Sequence, residues 1–183
     1  LLDAFTGNND RMDHTPLCIK NRDSLSPLHS CALFKASAEI CRRLMNSKFA
    51  EQASILKDQH GATPLHLACA SSNVADTVEV VKILGTKQAA NIKDNSGRSP
   101  LHVAAENKKA TRALIKALVD LDPRPSKMET NRGRMPLHVA IKKKADASVI
   151  RALVKVYPKA TRAHMSGSNT VLHEACQYQA SVR

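Results

Sequence analysis

Five times along the chain the same block returns: Ser26-Pro27-Leu28-His29, Thr63-Pro64-Leu65-His66, Ser99-Pro100-Leu101-His102, Met135-Pro136-Leu137-His138 and Thr170-Val171-Leu172-His173. The five histidines stand 37, 36, 36 and 35 residues apart. A fixed period of this length means one supersecondary unit stacked on copies of itself. Each copy is too small to bury its own apolar surface, so the array must share a core between neighbours.

The chemistry of each block spells a helix start. A hydroxyl residue (Ser26, Thr63, Ser99) can serve as N-cap, and the following Pro occupies the first helical position, where no N–H is needed. Just upstream lie Asp58-Gln59-His60-Gly61, Asp94-Asn95-Ser96-Gly97 and Asn131-Arg132-Gly133-Arg134, whose Asx and Gly residues mark tight turns. Met135 brings no hydroxyl and Val171 replaces the Pro, so the fourth and fifth units are expected to begin less firmly.

Small residues follow each His, as in Leu67-Ala68-Cys69-Ala70 and Val103-Ala104-Ala105, and allow the helix to pack closely. About ten residues later a second apolar set appears at helical spacing: Ile40, Leu44 and Met45; Val80, Val81 and Leu84; Leu114, Ile115, Leu118 and Val119; Val149, Ile150, Leu153 and Val154. Short links make the two helices antiparallel. Asp76 and Glu79 have the D-x-x-E form of a second-helix start. The expected class is therefore an all-α repeat solenoid of stacked antiparallel helix pairs joined by turn and hairpin loops. An apolar content of 43% with only 3% aromatics and no Trp supports an aliphatic helical interior.

These blocks resemble the ankyrin repeat, whose turn, T-P-L-H-x-A and two antiparallel helices are matched nearly intact at Gly61-Ala62-Thr63-Pro64-Leu65-His66-Leu67-Ala68. The resemblance covers roughly residues 21–183. It divides the chain into units at 21–57, 58–93, 94–129 and 130–164 and a truncated one at 165–183, with residues 1–20 the end of a preceding unit and a connecting loop. The period exceeds the family's usual 33, and the surplus falls around Ser71 to Thr77 and around Asp122-Pro123-Arg124-Pro125. His14-Thr15-Pro16-Leu17-Cys18 lacks the His and the room for two helices, and reads as loop or strand.

In this family the repeated His resembles a structural residue that ties the helix start to the adjacent turn. A metal centre is a poor alternative, because equivalent residues of stacked helices lie roughly 8 to 10 Å apart, whereas zinc ligands sit about 2.3 Å from the ion. No nucleophile elbow, Walker loop, dinucleotide turn or H-E-x-x-H helix is present, so the chain reads as no enzyme and no cofactor is implied. The five widely spaced cysteines read as reduced core thiols, and no apolar run nears the roughly 18 residues that would cross a bilayer. The absence of secretory signals suggests an intracellular protein, and the start at Leu1 suggests a piece of a longer one.

Charge is uneven. Arg98 to Arg162 holds 16 basic and 5 acidic residues, whereas residues 1–97 hold 11 and 10, so one segment carries nearly all of the +12 excess. The resemblance implies partner contact at turn tips and along the first helices. Carried onto this sequence, those positions include Gln59, His60, Asn95, Arg98, Asn107, Arg132, Arg134, Lys142 and Lys143.

The expected function is a protein-interaction scaffold whose partner offers an acidic segment, with Arg pairing carboxylates. The alternatives are that the same basic ridge takes a phosphate-bearing polymer or anionic lipid, or that the array regulates a larger enzyme or channel. The scarcity of aromatic stacking platforms disfavours nucleic acid.

Overall fold

Proline at the first helical position and small residues one turn later make the repeated block nucleate a short helix wherever it occurs in full. In the computed structural model, which describes residues 18–33, 38–71, 74–163, 170 and 173, the helices among these residues are α1 (Pro27–Leu33), α2 (Ala38–Met45), α3 (Ala50–Ser54), α4 (Pro64–Ala70), α5 (Val74–Leu84), α6 (Lys87–Asn91), α7 (Pro100–Glu106), α8 (Arg112–Leu121), α9 (Pro136–Lys142) and α10 (Ala147–Val156). Short 3-10 helices follow at Arg124–Lys127 and Pro158–Arg162.

The proline helices α1, α4, α7 and α9 pack side by side in one row, and α2, α5, α8 and α10 form a second row against them. The core is the seam between the rows. Leu28, Leu65, Leu101 and Leu137, one from each block, are at most 2% exposed. Each contributes about 1.5 to 3 kcal/mol of apolar burial. Ala68, Ala104 and Ala140 let the first row close up, while Val81, Leu84, Ile115, Leu118, Val149 and Leu153 fill the seam from the second row. The first pair differs: Cys41 is the residue at full depth in α2, and Ile40, Leu44 and Met45 are only partly buried. Of the cysteines, Cys31, Cys41 and Cys69 are buried thiols.

Two local expectations need correction. α5 begins at Val74, so Asp76 is its third residue rather than its cap, and residues 74–77 of the surplus expected between the paired helices are helical. The later second-row helices do carry caps: Thr111 Oγ1 accepts from Leu114 N at 3.2 Å, and Asp146 Oδ1 from Ser148 N at 2.7 Å. The surplus after each second helix is not plain loop either. It folds into α3, α6 and the two 3-10 helices, whose small residues Ala53, Ala89, Ala90 and Ala160 join the hydrophobic core.

Buried Asp122 fastens one of these segments, accepting from Arg124 Nε at 2.8 Å and from Asn91 Nδ2 at 2.8 Å. The Arg124 guanidinium bonded to it holds its carboxyl well below the usual range.

The expectations for Leu1 to Leu17, and for the truncated fifth unit apart from Thr170 and His173, fall outside the described residues. Among those described, no helix is long and apolar enough to cross a membrane.

Candidate functional site

The turn that precedes each proline helix is built by one side chain. Asp58 Oδ1 accepts the N–H groups of His60 and Ala62 at 2.8 and 2.9 Å. Asp94 Oδ1 accepts those of Ser96 and Arg98 at 2.9 and 2.8 Å. Asn21 does the same in the first turn, and Thr130 Oγ1 in the fourth at 3.3 Å each. The third residue after that side chain has positive φ: Gly61 (73°), Gly97 (75°) and Gly133 (66°). In the first turn Ser24 is forced into the same region at 60°, without the freedom of a glycine.

The imidazoles then join each turn to its helix and to the neighbouring turn. Nδ1 of His29, His66 and His102 accepts the cap residue's N–H at 3.1 Å in each case. The cap hydroxyls of Ser26, Thr63 and Ser99 lie 2.7, 2.9 and 2.8 Å from the same nitrogen. His stands where a capping box has Glu or Gln. With Nδ1 accepting, the ring proton sits on Nε2, which donates at 3.0 Å to the next turn: His29 to Ala62 O, His66 to Arg98 O and His102 to Arg134 O.

The fourth block keeps its backbone bond, Met135 N to His138 Nδ1 at 3.0 Å, even without a hydroxyl. Thr170 and His173 repeat the pairing, with hydroxyl and Nδ1 at 2.8 Å. Burial, opposed by the hydrogen bond to the next turn, pushes His66 and His102 down to about 4, and His29 moves the same way. The rings of His29, His66 and His102 thus each join their own pair of turns, and among the described residues no three His, Cys, Asp or Glu side chains converge as metal ligands.

The turn tips are also zipped to one another. Asn95 N donates to His60 O at 3.0 Å and Asn131 N to Ser96 O at 3.1 Å. The side-chain amides of Asn95 and Asn131 reach Gln59 O at 3.2 Å and Asn95 O at 3.0 Å. A lysine ladder runs alongside, in which Lys20, Lys57 and Lys93 donate to the carbonyls of Lys57, Lys93 and Glu129 at 2.6, 2.9 and 2.6 Å. Sequence reasoning missed this ladder, although its signal was present: a Lys immediately before each of the first three turns, 37 and 36 residues apart.

The positions singled out for partner contact divide in two. Several are engaged within the array. Asn95 belongs to the zipper, and Asn107 Nδ2 donates to Cys69 O at 3.0 Å and Ser71 O at 2.8 Å, joining the ends of α4 and α7. Arg98 pairs with Asp94 (Nε to Oδ2, 2.8 Å) and with Glu106 (Nη1 to Oε2, 2.9 Å), and Lys143 closes the chain on Glu106 at 2.7 Å.

Burial opposes ionisation of Asp94 and Glu106. It is outweighed by the bonds from Arg98 to Asp94 and from Lys143 and Arg98 to Glu106, so both carboxyls are held low. By exposure, Gln59, His60 and Arg132 are exposed at the turn tips, and Arg134 and Lys142 are partly buried beside them.

Comparison with known proteins bears on this arrangement. A family model described as ankyrin repeats (3 copies) matches residues 28–127 and, overlapping them, 70–162, together well over half of the 183 residues. No curated protein matches the chain.

Proposed function

The chain belongs to the ankyrin-repeat family, and from that premise we propose that it is a non-catalytic scaffold that holds an acidic segment of a partner protein along its turn tips and proline helices. Ankyrin repeats are in general protein–protein interaction modules, and their stacked units offer an extended ridge large enough for a standard interface of about 800 Å² per partner.

The observation that carries the acidic preference is where cation excess meets that ridge. Of the 5 acidic residues between Arg98 and Arg162, Glu106 is spent on Arg98 and Lys143, and Asp122 on Arg124. Arg132, Arg134 and Lys142 add three cationic side chains on the turn and first helix of the fourth unit. Arg forks match carboxylates bidentately, and a like-signed patch speeds the encounter with an oppositely charged chain.

A fluorescein-labelled octaglutamate peptide tests the reading by anisotropy, beside a neutral octapeptide and a DNA oligonucleotide of equal charge. Octaglutamate should bind in preference to the neutral peptide and lose about tenfold in affinity on Arg132→Glu/Arg134→Glu. Unchanged binding by the reversed variant would refute the proposal. Preferential binding of the DNA, with a steep salt slope, would replace it with the phosphate reading.

A further inference from the structure

The third and fourth helix starts use the same positions and differ by two carboxylates. Asp94, Arg98 and Glu106 of one correspond, 36 residues on, to Thr130, Arg134 and Lys142 of the other. Thr130 reproduces the turn bonds of Asp94, accepting the N–H groups of Arg132 and Arg134 at 3.3 Å. It has no second oxygen for the guanidinium, whereas Asp94 Oδ2 accepts Arg98 Nε at 2.8 Å. Lys142 puts an ammonium where Glu106 offers its carboxylate. With Thr130 in place of Asp94, Arg134 Nε is buried and no acceptor reaches it, and with Lys142 in place of Glu106 no carboxylate among the described residues pairs with its terminal nitrogens.

We infer that Arg134 and Lys142 form a seat for one carboxylate, supplied by an Asp or Glu side chain of the partner and standing where Glu106 stands one unit earlier. The inference rests on the acidic-partner reading above and names its anchor point. Reach is given by the third unit, where side chains eight residues apart at these two positions meet at 2.9 Å, and a cation from the next unit joins the same carboxylate at 2.7 Å. Two cations at those positions repel instead of meeting, and a carboxylate between them would accept from both. Such a carboxylate would gain the charge-assisted bond that Glu106 makes with Arg98 Nη1 in the third unit. The seat is thus specific for an acidic oxygen, whereas the surrounding ridge supplies only general attraction.

The experiment is to fill the seat from within. Thr130→Asp/Lys142→Glu rebuilds the third unit's arrangement on the fourth and occupies Arg134 internally. Lys116→Glu/Lys155→Gln makes the same change in net charge on the second-row helices. Octaglutamate affinity should fall about tenfold in the first variant and by no more than about threefold in the second. In the native sequence the NMR resonance of Arg134 Nε–H should shift as octaglutamate is titrated, and the variant Arg134→Gln should lose affinity as the filled seat does.

Equal losses in the filled and control variants, or an unmoved Arg134 resonance while the peptide still binds, would overturn the seat and leave the ridge reading standing. An equal shift with acetate or inorganic phosphate at the same concentration would overturn the assignment to a partner side chain. Absence of octaglutamate binding to the native chain would bring down the ridge reading and the seat with it.

Discussion

Acidification should loosen the array through its buried histidines. His66 and His102 are held down to about 4 by burial, against 6.5 for an unperturbed imidazole. Between these values the unfolded chain binds protons that the folded chain refuses, so unfolding becomes easier as pH falls. Their contribution is complete above the unfolded value and is lost progressively down to the folded one. At about 1.36 kcal/mol per pH unit, each ring loses about 2 kcal/mol between roughly pH 7.5 and pH 5, and the two together about 4 kcal/mol.

His29 shifts the same way and adds to the loss. Asp94, Asp122 and Asp146 are carboxylates held low, so their contributions are present above an unfolded value of 3.8 and vanish only on further acidification. The window from pH 7 to pH 5 therefore belongs to the imidazoles. The structural reason is the Nδ1 lone pair: once protonated, it no longer accepts the cap N–H at 3.1 Å.

Urea unfolding followed by circular dichroism at a series of pH values measures the loss. His102→Gln is the decisive variant, because Gln is a natural third residue of a capping box yet does not titrate. It should remain folded and lose about 2 kcal/mol of the pH dependence. A native chain equally stable at both ends of the window, or a variant with the full native slope, would refute the reasoning.

Ser24→Gly should raise stability by about 0.5 to 1 kcal/mol in the same unfolding assay, since Ser24 sits at a φ of 60° that glycine adopts without strain. Gly97→Ala should cost more than about 2 kcal/mol, because φ is +75° and the added carbon would lie 2.5 Å from the backbone nitrogen of Asn131; a neutral effect would mean that the turns do not touch as described. Burial pushes the Cys69 thiol up, so maleimide labelling traced by peptide mass spectrometry should leave Cys69 unmodified in the folded chain and modify it in urea, and rapid native labelling would contradict its place in the seam.

Much of the architecture was legible because its signals are local and repeated. Proline, a cap residue and a histidine three places after the cap specify a helix start wherever they recur, and the apolar spacing of Val80, Val81 and Leu84 or Leu114, Ile115 and Leu118 marks a second helix by itself.

The short helices α3 and α6 were not legible. Five residues carry no periodicity, and what holds Ala53 or Ala89 in place is burial in the shared core, a tertiary contact. Nor could sequence tell that Arg98 is spent on Asp94 and Glu106 while Arg134, its equivalent, lacks such acceptors. Both read as exposed turn arginines. What separates them is that the turn and first helix of one unit fold Asp94 and Glu106 to within about 3 Å of Arg98, whereas Thr130 and Lys142 stand at those positions around Arg134; a separation of four or eight residues does not by itself give that contact.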